Sequence, residues 1–501
     1  MVSAGVAFRV AMLASPLHHV DGDEAVVGLM ARRLLNGDVE AFFWGQDYGG
    51  IHEAVAVAGM FVLGVPTLVA MRLVPLLFAV GASLVLWRVG RRIVGEEGGR
   101  IAAALFWAAP AGMVWMSFKE RGFYGATMVL GLTCVLIVLR LDEEWTRRDA
   151  ALLGLAAGLG WYASPQVAYL VAPAGAWLAW RTVRRSGWRE LVAHAPLVAG
   201  GLAIGVSPWL AANVARDWGS LRPPVDLPAT GPLERLEVLH DRGLPVALGL
   251  QDPVLPRWIA GSLGQAAYLA IRVAAIGAVV LAMVRRPPVG RLSIVVVALA
   301  TYPLIFMALP TSFTVTDPRY VSFVVPLLLL VLAWVIERRG AAVRWVVAGV
   351  VVALAAAGTG VLIDDADVDG LWEASPRDPA ALVDGLRARG VDAVFADYWI
   401  AYRISLLSDQ DVVASPLHPV RDLTYEAAVR RDDAPAWVLY RGTQDERWLG
   451  EYLHGRGVAF DRFDPGPFVV YLPAVRVLPE DVAPAWRQTR VARGVLPGAR
   501  I

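Results

Sequence analysis

Three carboxylates stand within four residues, Asp21-Gly22-Asp23-Glu24, between a short apolar N-terminal run and the stretch AVVGLMARRLL. A carboxylate projecting into a cavity can act as a general base, taking a proton from an acceptor hydroxyl or amine while a phosphate departs. The plainer role is helix capping, with Asp23 as the cap and Glu24 at the positive end of the helix, worth about 1 kcal/mol. A departing phosphate needs cations, and Arg72, Lys119, Arg121 and Arg319 all stand at the ends of apolar runs. Each of them alone reads as a side chain snorkelling to lipid headgroups. An ionised group at the bilayer centre costs about 2.5–3.5 kcal/mol on insertion scales, so several bordering apolar runs together suggest a shared polar cavity. Lys119 is the single lysine of the chain, a fact that the arginine-, alanine- and valine-rich bias of a GC-rich bacterial genome is enough to explain.

The elements that must hold these groups are membrane helices. The chain has 501 residues, 57% hydrophobic and 18% charged. With a mean hydropathy of +0.52 it reads as a polytopic membrane protein. A net charge of +1, with the basic residues dispersed between apolar runs, gives no footprint for a nucleic acid. The lone Cys134 lies inside an apolar run, which excludes an intramolecular disulfide and a cysteine zinc site. It reads as a small packing residue.

Cutting the chain at the length needed to cross about 30 Å of hydrocarbon gives about eleven spans. They lie near 4–20, 67–87, 101–117, 122–139, 150–164, 166–180, 192–213, 263–284, 291–309, 321–336 and 343–363, the first interrupted by Arg9. Arginine-rich connections at 87–100, 140–149, 181–190, 285–291 and 337–344 set the cytoplasmic side, with the N-terminus also inside. That orientation makes HEAVAVAGMFVLG, 52–64, an interfacial helix and puts the first outward loop at 21–66. Val26, Leu29, Met30 and Leu34 of AVVGLMARRLL are then expected to rest on the membrane surface. The segments 117–125, 214–262 and PTSFTVTDPRY, 310–320, also face outward.

From 364 onward the pattern changes. Helical stretches at 378–390, 398–408, 421–431 and 444–456 alternate with strand-like VDAVFAD, DVVAS, PAWVLYRG and FVVYLP. The expected architecture is a transmembrane α-helical domain, 1–363, and a small extracytoplasmic α/β domain, 364–501, with a mainly parallel sheet. Asp397, Tyr398, Trp399 and His418 of this second domain are residue types that could do chemistry, but DYWIAYR reads as the start of an amphipathic helix packed on the sheet. The domain is expected to recognise an acceptor or to lie as a lid over the cavity.

DGDEAVVGLMARRLLNG, FFWGQDYGGIHEA and RLVPLLFAV together resemble the GT-C glycosyltransferases of the protein O-mannosyltransferase and aminoarabinose transferase superfamily, in their bacterial glycosyltransferase-39-like form. The resemblance is strong over about 15–140, weaker at DPRYVSFVVPLL, and general elsewhere. It implies a GT-C fold and an enzyme of the bacterial plasma membrane. The enzyme would move a hexose or pentose from a polyprenyl-phosphate donor to an extracytoplasmic glycan, lipid or protein. It further implies an essential acid in the first outward loop, matched by Asp23 with Glu24 adjacent, and an assisting acid in the second, matched by Glu120. The family binds donor phosphate with basic residues near its second interfacial helix, where this chain has His52 and Glu53 in place of a lysine. Arg319 and Tyr320, with Lys119 or Arg121, would then have to carry more of the phosphate site, for which Arg72 is a further candidate.

Trp44, Tyr48, Tyr124, His52 and Glu53 are expected to line the substrate site, although aromatic residues at this depth commonly form an interfacial belt. Asp21 and Asp23 make an Asp-x-Asp pair that could hold a divalent cation, but the resemblance implies that no metal is required. His18 and His19 read as solvated loop residues. The alternative function is a flippase or transporter of lipid-linked sugars, which would call for ionisable residues within spans, broken helices and repeat symmetry. A sensor merely anchored by its helices would need far fewer of them.

Overall fold

The computed structural model describes residues 1–221, 231–253, 255–285, 290–308, 318–366 and 377–496. Residues 310–317 of the expected outward segment, part of 214–262, and 367–376 lie outside the described residues. Two compact units result. One comprises Met1–Ser15, Asp47–Glu53 and Val69–Asp365, the other Pro16–Gln46, Ala54–Leu68 and Ala366–Ile501.

The first unit is helical. Among the described residues, five helices are long and apolar enough to cross a membrane: Thr67–Ile93, Tyr124–Glu143, Trp188–Ala215, Gly290–Ala308 and Ala341–Ala366. The segments expected at 150–164, 166–180 and 263–284 are helices too, as Arg147–Ala163, Ala168–Ser186 and Gly261–Arg285. Two expected spans are not single helices. The first is helical only over Val2–Leu13 and then turns at Pro16–His18, because proline has no N–H to extend the ladder. The run 101–117 divides into Glu96–Ala108 and Ala111–Met116 around Pro110 for the same reason.

Helices Arg147–Ala163 and Trp188–Ala215 pack backbone against backbone. A Cβ on Gly154 would meet the Val198 carbonyl oxygen at 2.0 Å, and one on Gly201 the Ala151 oxygen at 2.2 Å. Gly154 and Gly158 face Gly201 and Gly205, so two small-xxx-small stripes form this contact, as membrane helices do where apolar burial gives no driving force. Where Tyr124–Glu143 ends, the buried carboxylate of Asp142 gathers Arg181 at 2.6 Å, Arg185 at 3.0 Å and Arg291 at 3.5 Å.

The second unit is built on a five-stranded sheet of order β2-β1-β3-β5-β4, comprising β1 (Ala393–Ala396), β2 (Val413–Pro416), β3 (Ala436–Tyr440), β4 (Phe460–Phe463) and β5 (Phe468–Pro473). β1 runs parallel to β2 and β3, whereas β5 is antiparallel to β3 and β4. The sheet is therefore mixed, not mainly parallel. The strand that runs against the others is β5, which returns from the short β4 through the turn Asp464-Pro-Gly-Pro467, with Gly466 at φ +67°. Alternate residues of the strands serve opposite faces. Val394, Ala396, Val438 and Val470 form one core with Leu382, Ile400 and Ile404. Phe395, Trp437, Leu439 and Val469 form the other with Val429, Leu449 and Trp486.

Residues of the first loop belong to this unit. The helix Gly22–Leu35 packs on the helix Tyr398–Leu407. Its apolar residues Val26, Leu29 and Met30 are fully buried instead of resting on a membrane surface. The expected amphipathic face is thus the inner face of a protein contact, which satisfies the same periodicity without lipid.

Candidate active site

The helical unit holds a partly open cavity of about 50 Å³. Its polar lining includes Arg9, Glu53, Ser117, Lys119, Arg121 and Tyr124, and its walls include Phe78, Met116 and Met128. Lys119 and Arg121 arrive on the segment that follows helix Ala111–Met116, where the Lys119 N–H bonds the Met116 carbonyl at 3.3 Å. Arg72 holds this segment from the neighbouring helix, donating to the Phe118 carbonyl at 3.0 Å. That bond makes it a support for the lysine-bearing turn. Arg121 lies over the Trp115 ring at 4.9 Å.

Arg9, read from sequence only as an interruption of the first span, is a cavity residue. Its guanidinium donates to Ser117 Oγ at 2.8 Å and to the Gly5 and Trp107 carbonyls, and it stacks on the Trp107 ring at 3.7 Å. An arginine inside an apolar run is the signal that could have marked it.

Glu53 has two roles in this region. It accepts from the backbone N–H of Gly125 at 2.8 Å and of Ala126 at 3.3 Å, at the start of helix Tyr124–Glu143. Phe123, at the cap position, supplies no side-chain acceptor, so Glu53 caps the helix from another segment. Gly125 permits this, because a Cβ there would lie 3.1 Å from Glu53 Oε1. Glu120 is fully buried and acts on the Glu53 carboxyl. Burial raises the pKa of Glu53, and Glu120 and the backbone N–H groups offset that only in part.

Several other expected residues come together beside the cavity. Tyr48 meets Phe123 edge-on at 6.1 Å, Phe123 stacks on Tyr124 at 4.7 Å, and Tyr124 meets Tyr320 edge-on at 6.1 Å. Arg319 lies 5.1 Å from the Tyr320 ring and 5.7 Å from that of Tyr124. His52 packs against Tyr162 at 4.9 Å, where burial lowers its pKa to about 4 and keeps it neutral.

The first-loop acids belong to the sheet-containing unit and divide their tasks differently from the expectation. Asp21, not Asp23, caps the helix Gly22–Leu35. Its Oδ1 accepts from the Glu24 N–H at 3.1 Å, while Glu24 Oε2 accepts from the Asp21 N–H at 3.0 Å. Glu24 is therefore the reciprocal member of a capping box. Asp23 is left for another use. Its Oδ1 accepts from Tyr398 Oη at 2.5 Å and from Arg421 Nη2 at 3.3 Å. Burial, joined by Asp23, raises the Tyr398 phenol well above its ordinary range while Arg421 opposes the shift. Burial works against the Arg421 charge, but Tyr398 and Asp23 overcome it and keep the guanidinium protonated.

Trp44 does not sit as a sugar platform. It is 1% exposed, lies beneath Arg33 at 4.7 Å, and packs beside Tyr402 and Tyr425. Among the described residues no three His, Cys, Asp or Glu side chains are arranged to hold a metal ion. The Asp21 and Asp23 pair is divided between a helix cap and an arginine contact.

Residues 52–211 match the family described as dolichyl-phosphate-mannose-protein mannosyltransferase. The fold is similar to that of ArnT from Cupriavidus metallidurans. The structure of ArnT bound to undecaprenyl phosphate superposes with a TM-score of 0.57 at 12% identity, over 94% of this chain and 96% of ArnT. The apo form gives 0.57 at 15% identity, over 96% and 98%. No curated protein sequence matches the chain. The protein accordingly has the GT-C architecture, and its residues 52–211 carry the mannosyltransferase family pattern.

Proposed function

We propose that this GT-C chain is a membrane glycosyltransferase that moves a sugar from a polyprenyl-phosphate donor to an acceptor on the extracytoplasmic side of a bacterial plasma membrane. The observation that carries the reading is the cavity, where Lys119, Arg121 and Arg9 meet among apolar walls. Such a lining suits an anionic phosphate on an apolar chain. The fold shared with ArnT, a protein seen with undecaprenyl phosphate, supports the same ligand class.

In the proposed reaction the acceptor oxygen or nitrogen attacks the anomeric carbon, and the bond from that carbon to the phosphate oxygen breaks with inversion. Asp23 takes the acceptor proton. The departing polyprenyl monophosphate keeps the electron pair, and the cations of the cavity stabilise its growing charge. A phosphate is already a good leaving group, so the protein's work is positioning and electrostatics, without a required metal.

Purified protein in lipid nanodiscs, supplied with radiolabelled undecaprenyl-phosphate sugars and candidate acceptors, tests the reading. Sugar release by wild type that collapses in Asp23→Asn is expected. Movement of lipid-linked sugar across the bilayer without release from any donor would overturn the proposal in favour of a flippase.

A further inference from the structure

We propose that Tyr398 and Arg421, from the sheet-containing part of the chain, are positioning residues for the carboxylate of Asp23. The inference rests on the reading of Asp23 as the base and gives the C-terminal domain a part in the reaction itself.

The three side chains close a triangle. Tyr398 Oη and Arg421 Nη2 both donate to Asp23 Oδ1, at 2.5 and 3.3 Å, and Arg421 Nε donates to Tyr398 Oη at 2.5 Å. Two donors on one oxygen fix the rotation of the carboxylate. The positioning groups are themselves held. Arg421 Nη1 donates to the Trp44 carbonyl at 3.3 Å, and Tyr402 Oη accepts from the backbone N–H of Arg421 and of Asp422, each at 3.1 Å. Asp23 and Tyr398 are 7% and 5% exposed, so bulk water does not compete for these bonds.

Two glycines in the first loop let the backbones approach. A Cβ on Gly22 would meet the Tyr398 carbonyl oxygen at 3.1 Å and Trp399 Cα at 3.3 Å. Gly45, at φ +70°, has Arg421 Cα 2.7 Å from where a Cβ would lie. Gly22 of the acidic quartet thus supplies the contact that brings Tyr398 to Asp23. The far end of the same helix is anchored as well, through Arg33 to Asp422 at 2.9 Å and Arg32 to Asp409 at 2.5 Å. A helix fixed at both ends gives its carboxylate one orientation, which a base on a mobile loop would lack.

The test is a double-mutant cycle on catalysis. Wild type, Tyr398→Phe, Arg421→Gln, Arg421→Lys and Gly45→Ala are compared on both the Asp23 and the Asp23→Asn background, with thermal midpoints and undecaprenyl phosphate binding measured alongside. Tyr398→Phe and Arg421→Gln are expected to lower kcat by about 10- to 100-fold, with donor KM changed less than about twofold. Arg421→Lys should recover part of the loss, and Gly45→Ala should show the kcat loss without touching a donor atom. On the Asp23→Asn background the same changes should cost little more, because their effect passes through Asp23. Full kcat in Tyr398→Phe and Arg421→Gln, or equal losses on both backgrounds, would overturn the inference while leaving the proposed reaction standing. Full activity in Asp23→Asn alone would instead remove the base, and with it both readings.

Discussion

Glu53 accepts a hydrogen bond at 2.8 Å from the backbone N–H of Gly125, across 72 residues of sequence, and so caps a helix that its own flanking residues leave uncapped. This single contact joins the start of one apolar helix to the cation-bearing turn just before another. Glu53→Gln keeps an acceptor for the N–H groups and removes the carboxyl on which Glu120 acts. We expect Glu53→Gln to fold with a modest loss of thermal stability. Glu53→Ala should lose about 1–2 kcal/mol, the usual value of a helix cap. Thermal unfolding in detergent, followed by tryptophan fluorescence, distinguishes the two.

Arg72 and Lys119 should fail in different ways. Arg72 binds the Phe118 carbonyl, whereas Lys119 lines the cavity. Lys119→Gln is predicted to weaken undecaprenyl phosphate binding by about tenfold, the scale of one charge-assisted contact, without lowering the thermal midpoint. Arg72→Ala should lower the midpoint as well as the affinity. A Lys119→Gln protein that binds the lipid as wild type does would remove this residue from the phosphate site.

In the sheet-containing unit Arg490 is fully buried against Glu426, with Nε to Oε1 at 2.8 Å and Nη2 to Oε2 at 3.0 Å. Removing one member leaves a buried charge without its partner, at a cost of about 3–5 kcal/mol. Glu426→Gln is therefore expected to be severely destabilised. Replacing both residues with apolar side chains of similar volume should recover much of the loss. Chemical denaturation of the full chain in detergent measures both.

Acidification should weaken the protein through His52. Its pKa is lowered by burial to about 4, against about 6.5 for an unfolded histidine. The unfolded chain therefore binds the proton more readily. The stability held by neutral His52 is complete above about pH 6.5 and is lost as pH falls towards 4. His52→Gln should flatten the fall in thermal midpoint between pH 7 and 4.5, and an unchanged slope would assign the fall to other groups.

Chelation should have no effect on transfer. Asp21 Oδ1 is engaged by the Glu24 N–H, and the positive Arg421 lies against Asp23, which opposes a second cation there. Activity retained in EDTA is the expected result. Loss of activity restored by added magnesium or manganese would return the Asp-x-Asp pair to metal binding.

Much of this molecule is written in local pattern. The apolar runs and the alternation beyond residue 376 required only the periods of helix and strand, and prolines 16 and 110 marked breaks that run length alone passed over. The cations Lys119 and Arg121 were legible because charge beside an apolar run is costly enough to need a reason. Arg9 carried the same signal and was read only as an interruption. The short strand Phe460–Phe463 escapes the sequence reading because its middle residues, Asp461 and Arg462, are charged and exposed, so it lacks the apolar run that marks the other strands.

The sequence by itself determined the membrane class, the run of apolar helices, the α/β pattern of the second part and the concentration of acids and arginines near the first loop. Backbone geometry depends largely on neighbours within about four residues, and the chain states those neighbours directly. The tertiary structure alone decided which acid does what. Asp21 became the cap and Asp23 the partner of Tyr398 and Arg421, 375 and 398 residues away, while Trp44 went into a protein core. A carboxylate is chemically the same at each of these positions. Its role follows from which donors folding brings to it, and those come from parts of the chain that no local period relates.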